Sequence, residues 1–112
     1  MATAYSPLIV TDGLVMYLDA GNTKSYPGAG TTWTDVSRNG NNGTLTNGPT
    51  FNSANGGSIV FDGVDDYATV SSLNLTGITE NFTFITVIKF PTFNNSGVIV
   101  WQAFSSYWAL MT

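Results

Sequence analysis

The chain has 112 residues, of which 43% are hydrophobic and 9% are charged, and its formal net charge is −4. This length allows one domain at most, and the apolar content is sufficient for a core, which excludes a disordered chain. Lys24, Arg38 and Lys89 are the three cations, too few for the clustered charge that nucleic-acid binding needs, so no nucleic-acid partner is expected. Cysteine and histidine are absent, which excludes disulfides, thiolate chemistry and the usual zinc ligands and general base.

The sequence shows no pattern of a targeting or membrane segment. Residues 1–10 lack a basic region followed by a long apolar run, so no signal peptide is expected. No apolar run approaches the roughly 20 residues of a membrane-spanning helix, so no membrane partner is expected. The low charge indicates a surface solvated by Asn, Thr, Ser and Gly, which suits a rigid β protein in an assembly or outside a cell.

The first 50 residues predict an arm, a strand and a long series of turns. Residues 1–12 are expected to form an N-terminal arm or edge strand. Residues 14–19 alternate Leu, Met and Leu with Val, Tyr and Asp, which predicts a strand. Residues 20–48 contain three Asn-Gly pairs, which favour tight turns over a helix, with a short strand at residues 44–46.

The most distinctive stretch is Ser58–Val70, which predicts a strand, an acidic turn and a second strand. Asp62-Gly63 is a hairpin signal, because Gly tolerates positive φ and Asp hydrogen-bonds its own backbone. Asp62, Asp65 and Asp66 share this short loop. Such crowding costs electrostatic energy unless water, a cation or backbone N–H groups relieve it. The loop is therefore either a cation site or a set of solvated turn carboxylates.

The last third of the chain predicts further strands. Residues 82–90 give the strongest strand pattern, with Phe82, Phe84, Thr86 and Ile88 on one face, and Pro91 ends it. Strands are also expected at residues 98–104 and from residue 107 onward. No helix is predicted, because β-branched and aromatic residues dominate every long window. The pattern predicts an all-β fold, an antiparallel β-sandwich or jelly roll.

Four stretches occur in a characteristic order, namely Gly13–Asn22, Ser25–Gly28, Trp33–Leu45 and Gly57–Tyr67. In this order the chain resembles the laminin-G-like jelly rolls of the concanavalin A-like lectin/glucanase superfamily, over about residues 5–90. It is most similar to those of structural proteins of tailed bacteriophages, cyanophages among them. The Phe-Asp-Gly-x-x-Asp-Tyr motif at residues 61–67 and the Asn-Gly-rich loop carry the resemblance.

The resemblance implies a two-sheet antiparallel jelly roll over residues 13–112, often calcium-bearing and often sugar-binding or adhesive. Family members continue with several more strands after the point that corresponds to Thr112. Residues 13–112 are therefore expected to be either the N-terminal portion of such a domain or a short form completed by a neighbouring subunit. The expected function is a non-enzymatic structural or adhesion protein of a virus particle, as capsid decoration or as a tail or fibre component. Its expected partners are neighbouring virion subunits or copies of itself, with cell-surface glycans as ligands.

Two sets of residues are candidates for binding. Asp19, Asp35 and Asn39 are candidate calcium ligands, because Ca²⁺ takes six to eight oxygens and Asn/Asp-rich loops supply them. The alternative is that Asp35 and Asn39 form turns, which need no ion, and that Asp19 ends its strand beside them. The candidate glycan-binding residues combine carboxylate and aromatic groups and are Asp65, Asp66, Tyr67, Tyr107 and Trp108. Trp33 and Trp101 are expected in the core.

No catalytic residues are expected. Glycoside hydrolysis needs two carboxylates, roughly 5–5.5 Å apart for retention and 6.5–9.5 Å for inversion. Glucanase relatives place them in a Glu-x-Asp-x-x-Glu pattern, whereas Glu80 is the single glutamate here and has no such partner. Adjacent Asp65 and Asp66 would point to opposite faces of a strand. Two alternatives stay open: a free-standing calcium-dependent glycan-binding module, and a glucanase-like hydrolase whose catalytic residues lie beyond Thr112.

Overall fold

A computed structural model of the chain describes residues 10–73, 75 and 81–90, and the backbone of residues 98–102 and 108–111. These residues contain seven short strands: β1 (Thr32–Trp33), β2 (Gly43–Thr46), β3 (Thr50–Asn52), β4 (Ser58–Val60), β5 (Tyr67–Thr69), β6 (Val98–Gln102) and β7 (Trp108–Met111). All pairings between them are antiparallel. The helical structure in this part of the chain is one 3-10 turn at Ala54–Gly56. The expectation of an all-β chain is therefore confirmed. No helix in the described residues is long and apolar enough to cross a membrane.

The chain divides into two units, Met1–Gly77 and Ile78–Thr112, which are described separately. In the first unit, β2 lies at the centre of a three-stranded sheet of order β1-β2-β5. Leu45 of β2 is buried and Thr44 is exposed, the alternation expected of a half-buried strand. Gly43 permits the close approach of neighbouring side chains, because an added Cβ would lie 3.3 Å from both Leu18 Cδ1 and Trp33 Cβ.

Strands β3 and β4 form a separate two-stranded sheet, in which Phe51 lies opposite Ile59. The 3-10 turn connects them, and Asn55 within it has a φ of 54°, a left-handed conformation that Asn tolerates better than most residues. The Phe51 ring lies 5.6 Å from the ring of Tyr26, centroid to centroid. Tyr26 and Leu45 are the buried large apolar side chains of the described residues, so the core in this part of the chain is small.

In the second unit, β6 and β7 pair with Val98 opposite Met111 and Gln102 opposite Trp108. An irregularity in the register falls between Val98 and Val100. The predicted strands at residues 98–104 and from residue 107 onward are confirmed as β6 and β7, within shorter bounds.

Two predicted strands are wrong. Residues 14–19 and 81–90 have no strand structure. In residues 14–19, side chains take the place of a neighbouring strand: Asp35 Oδ1 accepts from Tyr17 N, and Asn41 Nδ2 donates to Val15 O. Residues 81–90 have the alternating pattern, but no neighbouring strand pairs with them in the described part of the chain. Alternation predicts which side chains share a face, whereas a strand also needs a partner.

The predicted hairpin at Ser58–Val70 is also wrong, although both of its strands form. β4 pairs with β3, and β5 pairs with β2. The acidic turn therefore carries the chain from one small sheet to another. Of the predicted N-terminal arm at residues 1–12, residues 1–9 lie outside the described residues.

Candidate functional site

Asp35 is the centre of a hydrogen-bonded network that joins three segments of the first unit. Its Oδ1 accepts from Tyr17 N at 2.9 Å and from Ser37 N at 2.8 Å. Its Oδ2 accepts from Asn41 N at 2.9 Å and from Ser37 Oγ at 2.7 Å. The residue is 5% exposed. A buried carboxylate with two donors on each oxygen is fully satisfied and fixes the backbone segments that donate to it.

The charge state of Asp35 follows from the same contacts. Burial alone would raise its pKa, but the hydrogen bonds from Ser37 Oγ and from the backbone of Tyr17, Ser37 and Asn41 outweigh burial and hold the pKa below its ordinary value. Asp35 is therefore a carboxylate at neutral pH. Nearby, burial and the hydrogen bond from the Tyr17 hydroxyl to Asp19 raise the pKa of Tyr17.

Calcium binding by Asp19, Asp35 and Asn39 stays a prediction, and the structure shows which of their atoms are already engaged. Both oxygens of Asp35 are already engaged by two donors each, so a cation would have to displace them. Asp19 accepts from the Tyr17 hydroxyl and from Gly21 N. Asn39 directs its amide nitrogen, a donor, to the carbonyls of Leu14 and Val15. The hydrogen bonds support the alternative expectation, that Asp35 and Asn39 organise turns.

The acidic turn brings three carboxylates together. One oxygen from each of Asp62, Asp65 and Asp66 lies within 4.8 Å of the others. Asp62 Oδ1 accepts from Val64 N at 2.8 Å and from Asp65 N at 3.3 Å, and Asp66 Oδ2 accepts from Asp62 N at 3.0 Å. These contacts form an Asx-type turn, in which side-chain oxygens satisfy the backbone donors of the loop.

One buried carboxylate oxygen in this turn lacks a hydrogen-bond donor among the described residues. Asp66 Oδ1 is buried and has no hydrogen-bond partner in the described part of the chain. The backbone N–H of Val64, with smaller contributions from further backbone donors, holds the pKa of Asp62 below its ordinary value. The turn therefore presents negative charge at neutral pH, and its oxygens match the hard oxygen ligands that Ca²⁺ prefers.

The predicted glycan-binding residues fall into two groups. Asp65 and Tyr67 are exposed at the acidic turn, Asp66 is half-buried beside them, and Asn47 Nδ2 anchors the turn by donating to Asp65 O. Tyr107 lies outside the described residues, and for Trp108 the structure describes the backbone alone. Glycan binding by any of these residues stays a prediction. Trp33, expected in the core, is partly exposed.

The surface feature that the sequence pattern did not reveal is an exposed apolar segment. Phe84 is 47%, Ile85 83%, Val87 98% and Ile88 44% exposed. This exposure alternates along the chain as it does on the two faces of a β-strand. No hydrogen bond joins residues 83–89 to another described part of the chain, whereas Phe82 and Phe90 at its ends have interactions. Contiguous exposed apolar surface of this kind marks interaction sites in soluble proteins.

Comparison of the chain with models of protein families, with curated proteins and with solved structures finds no match.

Proposed function

We propose that the chain is a non-enzymatic structural or adhesion domain of a virus particle, built as a two-sheet jelly roll of the carbohydrate-binding type. Its partners are neighbouring subunits of the particle or copies of itself. The virus-particle assignment rests on the resemblance of Gly13–Asn22, Trp33–Leu45 and Gly57–Tyr67 to jelly rolls of tailed-phage structural proteins. Fold alone does not determine function, so support for an assembly function comes from the surface of the protein.

The observation that supports an assembly function is the exposed apolar segment at residues 83–89. A free-standing soluble domain normally covers such β-prone side chains or guards them with charges. Here Lys89 is the one charged residue in the segment, and the described core holds two buried large apolar side chains. Apolar side chains this exposed are suited to burial against another subunit.

The proposal is tested on the purified full chain by three measurements. Sedimentation velocity over a wide range of concentrations should show association. Incubation with β-glucans should release no reducing ends, because no carboxylate pair of the glucanase pattern is present. A glycan array probed with the chain displayed in many copies should give stronger signals than one probed with the dispersed chain, because avidity multiplies weak affinities. Glucan turnover, or a chain that stays monomeric and binds no glycan, would contradict the proposal.

A second function, a free-standing calcium-dependent glycan-binding module, is favoured by the acidic turn. The Asp65 carboxylate and Asp66 Oδ1 have no hydrogen-bond donor among the described residues. Ca²⁺ held there would complete its shell with water. In that case calcium should raise the melting temperature of the chain and EDTA should reverse the rise. Asp65→Asn should abolish the effect, and Asp12→Asn, an equal change at another exposed aspartate, should preserve it.

A further inference from the structure

We draw no further inference here: the strongest candidate, the acidic turn that brings together Asp62, Asp65 and Asp66, belongs to the site already described, and nothing in the described part of the chain beyond the half-buried Asp66 carboxylate points to a ligand for it.

Discussion

Removing the carboxylate of Asp35 should be the most damaging change to a single charged residue in the first unit. Three backbone N–H groups and one hydroxyl converge on it from Tyr17, Ser37 and Asn41. Asp35→Ala leaves these donors without an acceptor in a place that is 5% exposed. Water has little access to restore the bonds, so most of the loss should appear as reduced stability.

The magnitude follows from the donors that stay enclosed. An unsatisfied buried donor costs about 1–3 kcal/mol. The Ser37 hydroxyl can rotate toward another acceptor, but the amides of Tyr17 and Asn41 cannot. Counting these two as orphaned gives a loss of about 2–6 kcal/mol. Domains have a total stability of about 5–15 kcal/mol, so this loss is a large fraction of the total and would nearly unfold a domain at the lower end of that range. Asp35→Asn keeps one acceptor oxygen and should cost about half as much.

The assay is urea unfolding of the full chain followed by tryptophan fluorescence. Asp12→Ala is the matched control, because it removes the same charge from an exposed aspartate and should change the free energy of unfolding by less than about 0.5 kcal/mol. A free energy of unfolding for Asp35→Ala within that same margin of the wild type would refute the structural role of the carboxylate. An Asn variant as damaging as the Ala variant would refute the assignment of the cost to orphaned donors.

Two further predictions concern pH and backbone packing. The pKa of Asp35 in the folded chain is below its ordinary value of 3.8, so its stabilisation is complete above that value and is lost as the pH falls through the folded pKa. The free energy of unfolding should therefore decrease below about pH 4, and Asp35→Asn should decrease less steeply over the same titration. Separately, a Cβ at Gly21 would overlap the carbonyl oxygen of Gly56, so Gly21→Ala should cost about 3 kcal/mol in urea unfolding. Gly40 has positive φ but open space around it, so Gly40→Ala should cost about 1 kcal/mol, and equal costs would contradict the close contact.

The sequence predicted five of the seven strands and missed β1 and β3, the two short strands that pair with β2 and β4. The short strand at residues 44–46 and the two strands flanking the acidic turn formed within one to two residues of the predicted positions. Their alternation was a sufficient signal because a neighbouring strand completes each ladder. Two Asn-Gly pairs adopt the left-handed turn conformation, with φ values of 70° at Asn47 and 54° at Asn55, whereas Asn42-Gly43 leads directly into β2, which begins at Gly43.

The wrong strand at residues 14–19 and the wrong hairpin share a physical cause. An alternating pattern does not determine which other strand a segment pairs with. Residues 14–19 alternate like a strand, but the side chains of Asp35 and Asn41, about 20 residues further along, occupy their hydrogen-bonding groups. The hairpin at Ser58–Val70 does not form because β4 pairs with β3 and β5 pairs with β2, both of which precede it in the chain. The pairing of strands that are distant in sequence depends on the whole fold, and a local sequence pattern does not predict it.

The candidate site was likewise predictable from the sequence only in part. The acidic turn was recognisable because its three carboxylates lie within five residues of sequence. Asp35 was recognisable as a polar residue in a turn-rich loop, but its role depends on amides at Tyr17 and Asn41 that only the folded chain brings to it. The exposed segment at residues 83–89 had a strand pattern, and the pattern could not show that no strand in the described part of the chain pairs with it.

Hydrogen–deuterium exchange of the full chain at low and at high protein concentration tests the assembly function most directly. We expect the amides of residues 83–89 to exchange at unprotected rates at low concentration and to become protected at high concentration, because association between copies covers this exposed segment. The amides of Tyr17 and Asn41, bonded to Asp35 within one chain, should be protected at both concentrations and serve as the internal reference. Protection of residues 83–89 that does not change with concentration, or exchange that stays unprotected at both, would contradict assembly through this segment.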